Sequence, residues 1–351
     1  MDSKIPEMMS AAVFEAIDVV NIRQIPVPSP EAGQALIKIK AAGLCITDVH
    51  VIKGNFNHSQ PPCVLGHEIA GEIISFGELK WKTNLKVGNR IVVETMIACG
   101  ACEQCINGFK NLCEQGGDLG EPPYQGGYCE YITVPVSCLY KIPDNMTYEE
   151  AAIFESFVCP VGGLQRLGVT MSDVVLIQGL GPAGLAFTQA AKVMGANKII
   201  VSDTNEKRLE LAKKYGADIC VNVLNEDISS VVMDNTKGIG VDISIEASGN
   251  DIAIKNSLEL SKKNGKVIFY GIPKDNHNVR FDVTQVIIKQ LNLYGTSGAP
   301  WAWKRTLELY EQGKYNIKDM VTHEFSLKDI NKVIETLLDP KSNAIKVVLH
   351  L

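Results

Sequence analysis

The chain has no apolar run long enough to span a bilayer. Its start, Met1-Asp2-Ser3-Lys4-Ile5-Pro6-Glu7, lacks the basic-then-apolar layout of a secretory leader, so a cytoplasmic protein without a membrane partner is expected. Positive charge is not in excess either. With 34 Lys and Arg against 40 Asp and Glu, the formal net charge of -6 offers nucleic acid no broad basic field. Internal repeats, low-complexity tracts and long linkers are missing too. What remains is ordinary globular material: 351 residues, 46% hydrophobic and 21% charged, enough for two domains that each bury a core. Ten cysteines in such a chain ask for a use other than disulfides, which a reducing compartment disfavours.

Metal chemistry supplies that use. The stretch Gly43-Leu44-Cys45-Ile46-Thr47-Asp48-Val49-His50 is followed by Gly66-His67-Glu68, and thiolate sulfur with neutral imidazole nitrogen is a donor set that zinc favours. A lone cysteine is usually a small buried hydrophobe, and a lone histidine is usually satisfied within a core. Here the joint order Cys-x-Thr-x-x-His and Gly-His-Glu points to a catalytic metal, with Cys45 and His67 as ligands. Glu68, beside His67, could ligate directly, exchange with substrate or water, or orient a ligand from outside the coordination sphere. A second set is Cys99, Cys102, Cys105 and Cys113, at gaps of two, two and seven residues. Four thiolates so spaced can close a tetrahedron around one zinc and fill it completely, which suits a structural site. Cys63, Cys129, Cys138, Cys159 and Cys220 lie among apolar or strand-like residues and are read as structural thiols.

A different signal lies in the second half. The apolar run 174–178 reads as a buried strand, followed by Gly179-Leu180-Gly181-Pro182-Ala183-Gly184 and a helix rich in Ala and Leu. In a dinucleotide fingerprint Gly179 permits the tight turn, Gly181 lets the backbone approach the pyrophosphate, and Gly184 allows close helix–strand packing, with Pro182 and Ala183 opening the helix toward the anion. The next strand, 198–202, ends in Asp203, which would accept hydrogen bonds from the ribose hydroxyls and oppose a 2′-phosphate, so NAD is expected rather than NADP. Further strands at 219–223, 242–245, 266–270 and 291–294 make six, a complete doubly wound parallel sheet. Gly249, Gly271 and Gly295 end three of them, either where the sheet opens toward its ligand or as plain turns.

Taken together these motifs resemble the zinc-containing medium-chain alcohol dehydrogenases, in pattern nearest the polyol (sorbitol-type) and threonine dehydrogenases. The resemblance implies an α/β chain with a GroES-like, β-rich catalytic domain at residues 1–154 and 296–351. It places a structural-zinc lobe around 95–113 and a Rossmann NAD-binding domain at 155–295. It also implies Glu155 as a third ligand of the catalytic zinc, since a carboxylate there is similar to polyol and threonine enzymes and a third cysteine to simple-alcohol enzymes. Ser156 and Cys159 depart from the family's pattern, which bears on substrate more than on mechanism. By the same resemblance Thr47 would take the substrate proton and pass it by way of the cofactor ribose to His50, while zinc acts as Lewis acid and hydride goes to NAD. Arg208, or Lys207, would reach the ribose, or else be a solvated charge on its helix. The expected partner is a small alcohol or polyol, the expected assembly a homodimer or homotetramer with edge strands near Phe269 and Leu293 pairing across a two-fold. Oxidation of a secondary hydroxyl in a polyol, cyclitol or sugar-derived compound leads. Threonine 3-dehydrogenation or oxidation of a simple secondary alcohol comes next. A non-catalytic zinc- and NAD-binding subunit is the reading from another class, and intact Cys45, Thr47, His50, His67 and Glu155 argue against it.

Overall fold

A computed structural model of the chain describes residues 5–79, 81–273 and 277–351. Met1 to Lys4, on which part of the leader reading rests, lie outside the described residues. Two compact units emerge: one comprises residues 1–155, 303–312 and 317–351, the other 156–302 and 313–316. Among the described residues no helix is long and apolar enough to cross a membrane.

The first unit is built around the eleven-residue strand Gln34–Leu44. It pairs antiparallel with Glu68–Phe76, Lys346–His350 and Tyr131–Pro135, at the centre of a seven-stranded sheet. Leu36, Ile37, Ile39, Ala42 and Leu44 are buried with Ile69, Ile73, Ile132 and Val347 in one core. Register shifts at Leu36/Ile37 and Ile39/Ala41 interrupt its ladder with Glu68–Phe76, and such irregularities bend and twist a strand. A three-stranded sheet of Val19–Pro26, Met8–Ala16 and Cys63–Val64 lies in the same unit. The helix Tyr148–Ala152 starts at a capping box in which Thr147 accepts from the Glu150 amide and Glu150 reaches back to the Thr147 amide.

The second unit is a six-stranded parallel sheet in the order Ile219–Asn222, Lys198–Asp203, Val174–Gln178, Val241–Glu246, Ser261–Phe269, Asn292–Gly295. Val174–Gln178 and the Ile199–Val201 centre of Lys198–Asp203 read as apolar runs because helices cover both faces of such a sheet, whereas Val241–Glu246 alternates Val, Ile and Ile with Asp, Ser and Glu and is buried almost throughout. The chain runs outward from Val174–Gln178 through two strands, then crosses to the other side for the remaining three, which sets a topological switch point between Val174–Gln178 and Val241–Glu246. Asn205, Asp227, Asn250 and Asp282 cap four of its helices through their side chains.

The return of the chain to the first unit comes at Trp303, later than the return at residue 296 that the resemblance implies. The reason is packing. Residues 296–302 lie against the helix Glu155–Leu167, where a Cβ on Gly162 would strike Ala299 and one on Gly163 would touch Thr296 at 3.4 Å.

Candidate active site

Strand register brings the donor residues together. Gly43 faces Glu68 across the antiparallel ladder, so Cys45, just beyond the end of one strand, meets His67 and Glu68, at the start of the other. The Cys45 sulfur, a His67 ring nitrogen and a Glu68 carboxylate oxygen all lie within 4.8 Å of one another. Gly43 is required here because a Cβ on it would collide with the Glu68 side chain. A soft thiolate, an imidazole and a carboxylate within one ion's reach, with three protein donors rather than four, suit a zinc that keeps a position open for a reactant.

Cys45 is also the N-cap of the helix Ile46–Ile52, which carries Thr47 and His50 three residues apart and hence on one face, both half-buried. The Cys45 thiol lies 3.5 Å from the Thr47 hydroxyl. The same helix carries Asp48, which sequence reasoning passed over. Asp48 is buried, accepts a 2.6 Å hydrogen bond from the Tyr128 hydroxyl, and places its other oxygen 3.5 Å from His67 Nδ1. Burial works against charge on both groups, yet their mutual attraction prevails. The His67 ring is held well above the ordinary imidazole value and the Asp48 carboxyl below its own. A carboxylate behind a metal-ligating histidine fixes its tautomer and raises its basicity.

Lys346 was missed as well, although a lone charge inside the run Ala344-Ile345-Lys346-Val347-Val348-Leu349 was a legible signal. Its ammonium pairs with Glu68 Oε1, and both residues are almost wholly buried. Burial pushes the Lys346 value down, but Glu68, then Cys45 and Glu155, outweigh it and hold it above the ordinary lysine range. Glu155 opens the helix Glu155–Leu167, half-buried, and is not within the close group of Cys45, His67 and Glu68.

A third polar group flanks this one. His58, stacked on Phe56 at 5.4 Å between centroids, lies 3.5 Å from Asp118 and close to Glu121. Its pKa is raised by the bond to Asp118, against burial. The loop carrying Asp118 and Glu121 rests on the segment before His67, since a Cβ on Gly120 would sit 3.3 Å from the Gly66 nitrogen. Trp303 is buried and stacks on Tyr140 at 5.3 Å, so it belongs to the core of the first unit.

Cys99, Cys102, Cys105 and Cys113 converge, with their four sulfurs within 4.8 Å. The short helix Glu103–Ile106 and the turn Lys110–Leu112 fold the lobe back on itself. Backbone amides of Cys99 and Gln115 pull the Cys113 thiol down to about 6, and those of Cys105 and Glu114 lower Cys102, while burial and the three neighbouring sulfurs push Cys105 up to about 12. Amides directed at sulfur favour thiolates, the form that binds metal, so these residues fit a structural zinc.

In the second unit Gly179 sits at φ +91°, where a Cβ would lie 2.7 Å from that of Ser248. Gly181 is the N-cap and Pro182 the first residue of the twelve-residue helix Pro182–Val193, with Ala183 and Gly184 in its first turn. A Cβ on Gly184 would strike the Gly179 carbonyl, whereas one on Gly181 would meet nothing within 4 Å. Asp203 ends the neighbouring strand and ties the loop down: it accepts from the Leu180 amide at 2.6 Å and, through its other oxygen, from Thr204 and Asn205. Arg208 lies half-buried on the helix Glu206–Lys214, and Lys207 is exposed. Gly249, at φ +68°, belongs to a turn for which the sequence left a ligand-facing role and a plain turn both open. There the buried Glu246 accepts from the Ser248 amide and hydroxyl and the Gly249 amide. Gly271 follows the adjacent strand and packs against that turn; Gly295 ends the edge strand, exposed. The loop, the helix N-terminus and the Glu246 turn thus gather at the carboxyl ends of the central strands, where doubly wound sheets bind dinucleotides.

Comparison with known proteins agrees in both units. Residues 31–144 match the alcohol dehydrogenase GroES-like domain and residues 182–312 the zinc-binding dehydrogenase family. The sorbitol dehydrogenase of Bacillus subtilis (strain 168) is 33% identical over 354 residues, covering 100% of this chain and 99% of that one. The L-threonine 3-dehydrogenase of Pseudoalteromonas translucida is 35% identical over 330 residues, covering 92% and 94%. Among solved structures, a zinc-binding dehydrogenase of Sinorhizobium meliloti 1021 bound to NADP superposes with a TM-score of 0.91 at 28% identity, covering 99% of this chain and 100% of that one.

Proposed function

This chain belongs to the zinc-binding alcohol dehydrogenase family, as an oxidoreductase of secondary alcohols that uses zinc and NAD, and from that premise we propose that its substrate is a polyol, cyclitol or related sugar-derived compound. The observation that carries the reading is the close group of Cys45, His67 and Glu68, with Glu155 nearby as a further carboxylate, in place of the two-cysteine set of simple-alcohol enzymes. Bound there, zinc would supply Lewis acidity toward a substrate hydroxyl, and NAD would supply the hydride acceptor. Cys45 and His67 hold the metal, with Glu68 or Glu155 as the third donor. Asp48 orients His67 and keeps its ring basic. Thr47 Oγ1 would accept the substrate hydroxyl proton while giving up its own, and His50, on the same helix face, would carry a proton out to water. His58, Asp118 and Glu121 give the surroundings polar groups for a polyhydroxylated substrate.

Asp203, whose carboxylate ends the strand Lys198–Asp203, would meet a 2′-phosphate as a like charge, so NAD is preferred to NADP. Gly179 to Gly184 would cradle the pyrophosphate, and Gly249, Gly271, Gly295 and Arg208 would serve the rest of the cofactor. Asp118 and Glu121 also favour a second substrate: carboxylates of that kind would pair with an ammonium group, which supports L-threonine oxidised at its 3-hydroxyl. A homodimer or homotetramer is supported by the edge strand Asn292–Gly295, which among the described residues pairs only with Ser261–Phe269, by its exposed Leu293, and by exposed Val283, Ile287 and Ile288 on the preceding helix Val283–Lys289. Cysteines gathered for metal as thiolates fit a reducing, cytoplasmic compartment.

The test is NAD reduction over a panel of polyols, cyclitols, sugar acids, L-threonine and simple alcohols, on protein of measured zinc content. Turnover confined to polyols, at two zincs per chain and abolished by Cys45→Ser, is expected. Turnover of L-threonine alone would select the second reading, and turnover of simple alcohols alone would refute both.

A further inference from the structure

Lys346 sits where a lysine is costly. It opens the strand Lys346–His350, whose Val347, Val348 and Leu349 are wholly buried, and is itself 3% exposed. This strand flanks Gln34–Leu44 on one side, with Val347 opposite Leu44 and Val348 opposite Gly43, while Glu68 faces Gly43 from the other side. The two side chains therefore reach across the central strand, at the glycine that leaves room for them, and Lys346 Nζ meets Glu68 Oε1. Burying such a pair brings a fold little that apolar residues of similar volume would not. Its position is more telling, because the cation stands among Glu68, Cys45 and Glu155, all acidic candidates for holding the metal.

We propose that Lys346 is a positioning residue that limits Glu68 to a single oxygen toward the metal held by Cys45 and His67. With Oε1 engaged by the ammonium, the carboxylate cannot chelate through both oxygens, and the coordination position that a substrate oxygen needs stays open. The inference rests on the zinc site proposed above. It differs from a plain stabilising role in sign: losing an outer supporting group commonly weakens metal affinity roughly tenfold or more, whereas freeing Glu68 to chelate strengthens the hold and closes the site.

The experiment uses the full chain, with zinc retained in the tetracysteine lobe and Co²⁺ at the second site, in the wild type, Lys346→Met, Lys346→Arg and Glu68→Gln/Lys346→Met. Visible absorption of Co²⁺ reports its coordination number, and transfer to EDTA reports its release. Lys346→Met is expected to add a ligand, seen as weaker visible bands per bound cobalt, and to slow release. The double variant, whose amide cannot chelate as a carboxylate does, reverses the spectral change. Lys346→Arg, whose fork can engage both Glu68 oxygens, speeds release instead. Faster release from Lys346→Met with an unchanged spectrum would overturn the proposal in favour of a structural role. Should Lys346→Met not fold, an Arg variant that releases cobalt at the wild-type rate would overturn it equally. A wild type that takes up no metal beyond the cysteine lobe would overturn the zinc-site reading along with it.

Discussion

Asp48→Asn removes one charge from behind His67 and leaves the size of the side chain nearly unchanged. Asp48 is 4% exposed, its Oδ2 held by Tyr128 at 2.6 Å and its Oδ1 3.5 Å from the ring nitrogen. At that separation the oxygen contributes mainly through charge, and in buried surroundings a charge is felt strongly. Loss of such an outer partner commonly costs 10–100-fold in metal affinity, or about 1.4–2.7 kcal/mol. Tyr128→Phe keeps the carboxylate and deletes only its donor, so its effect on metal affinity should be smaller; its cost appears as stability, about 1.5–3 kcal/mol for a hydrogen bond to a charged acceptor. Competition against a zinc-binding dye, with zinc counted per chain, measures both, and the tetracysteine lobe serves as an internal reference. Asp48→Asn should release the zinc of the Cys45 site at a chelator concentration that leaves the lobe loaded. Equal retention in variant and wild type would refute the argument, and parallel loss from both sites would show general unfolding instead.

Gly179→Ala places a side chain at φ +91° and 2.7 Å from Ser248, so a loss of about 1–3 kcal/mol and weaker NADH binding are expected, read from thermal unfolding and a fluorescence titration. Asp203→Ser should raise the ratio of kcat/KM for NADP over NAD by about tenfold or more, because the repulsion of a 2′-phosphate is removed; an unchanged ratio would discard Asp203 as the selector. Burial raises the Glu94 carboxyl above 4.5, with the Tyr140 hydroxyl, 2.9 Å away, pulling the other way. Stability from a raised acid is fully present below 4.5 and is lost as pH climbs through the folded value. Glu94→Gln keeps an acceptor for Tyr140 without the charge, so its melting temperature relative to wild type should rise from pH 4.5 toward neutrality; a constant difference would contradict this.

Local patterns were readable because they are imposed by short-range geometry. The glycine loop must turn within a few residues between a strand and a helix, and four cysteines must reach one ion from a single lobe, so their spacing is written in consecutive residues. The doubly wound sheet was legible for a related reason, since a strand buried on both faces, such as Val174–Gln178, is a nearly continuous apolar run. Cys45, His67 and Glu68 were found from residue types and order alone, and the chain does bring them within one ion's reach.

What the tertiary structure decided concerns residues far apart in the chain. Asp48 meets Tyr128 across 80 positions and Glu68 meets Lys346 across 278, and no local pattern couples partners at such separations. Whether a buried polar residue is a support, a ligand or a packing defect depends on what faces it, which is set by strand register. One residue of slip between Gln34–Leu44 and its neighbours would turn Glu68 and Lys346 to the other face of the sheet. The sequence by itself determined which chemistry this protein carries: two zinc-donor sets and a dinucleotide loop. Only the folded sheet decided which charges stand behind that chemistry, because pairing strands from opposite ends of the chain is what places a lysine from the C-terminal strand against a glutamate from the N-terminal half.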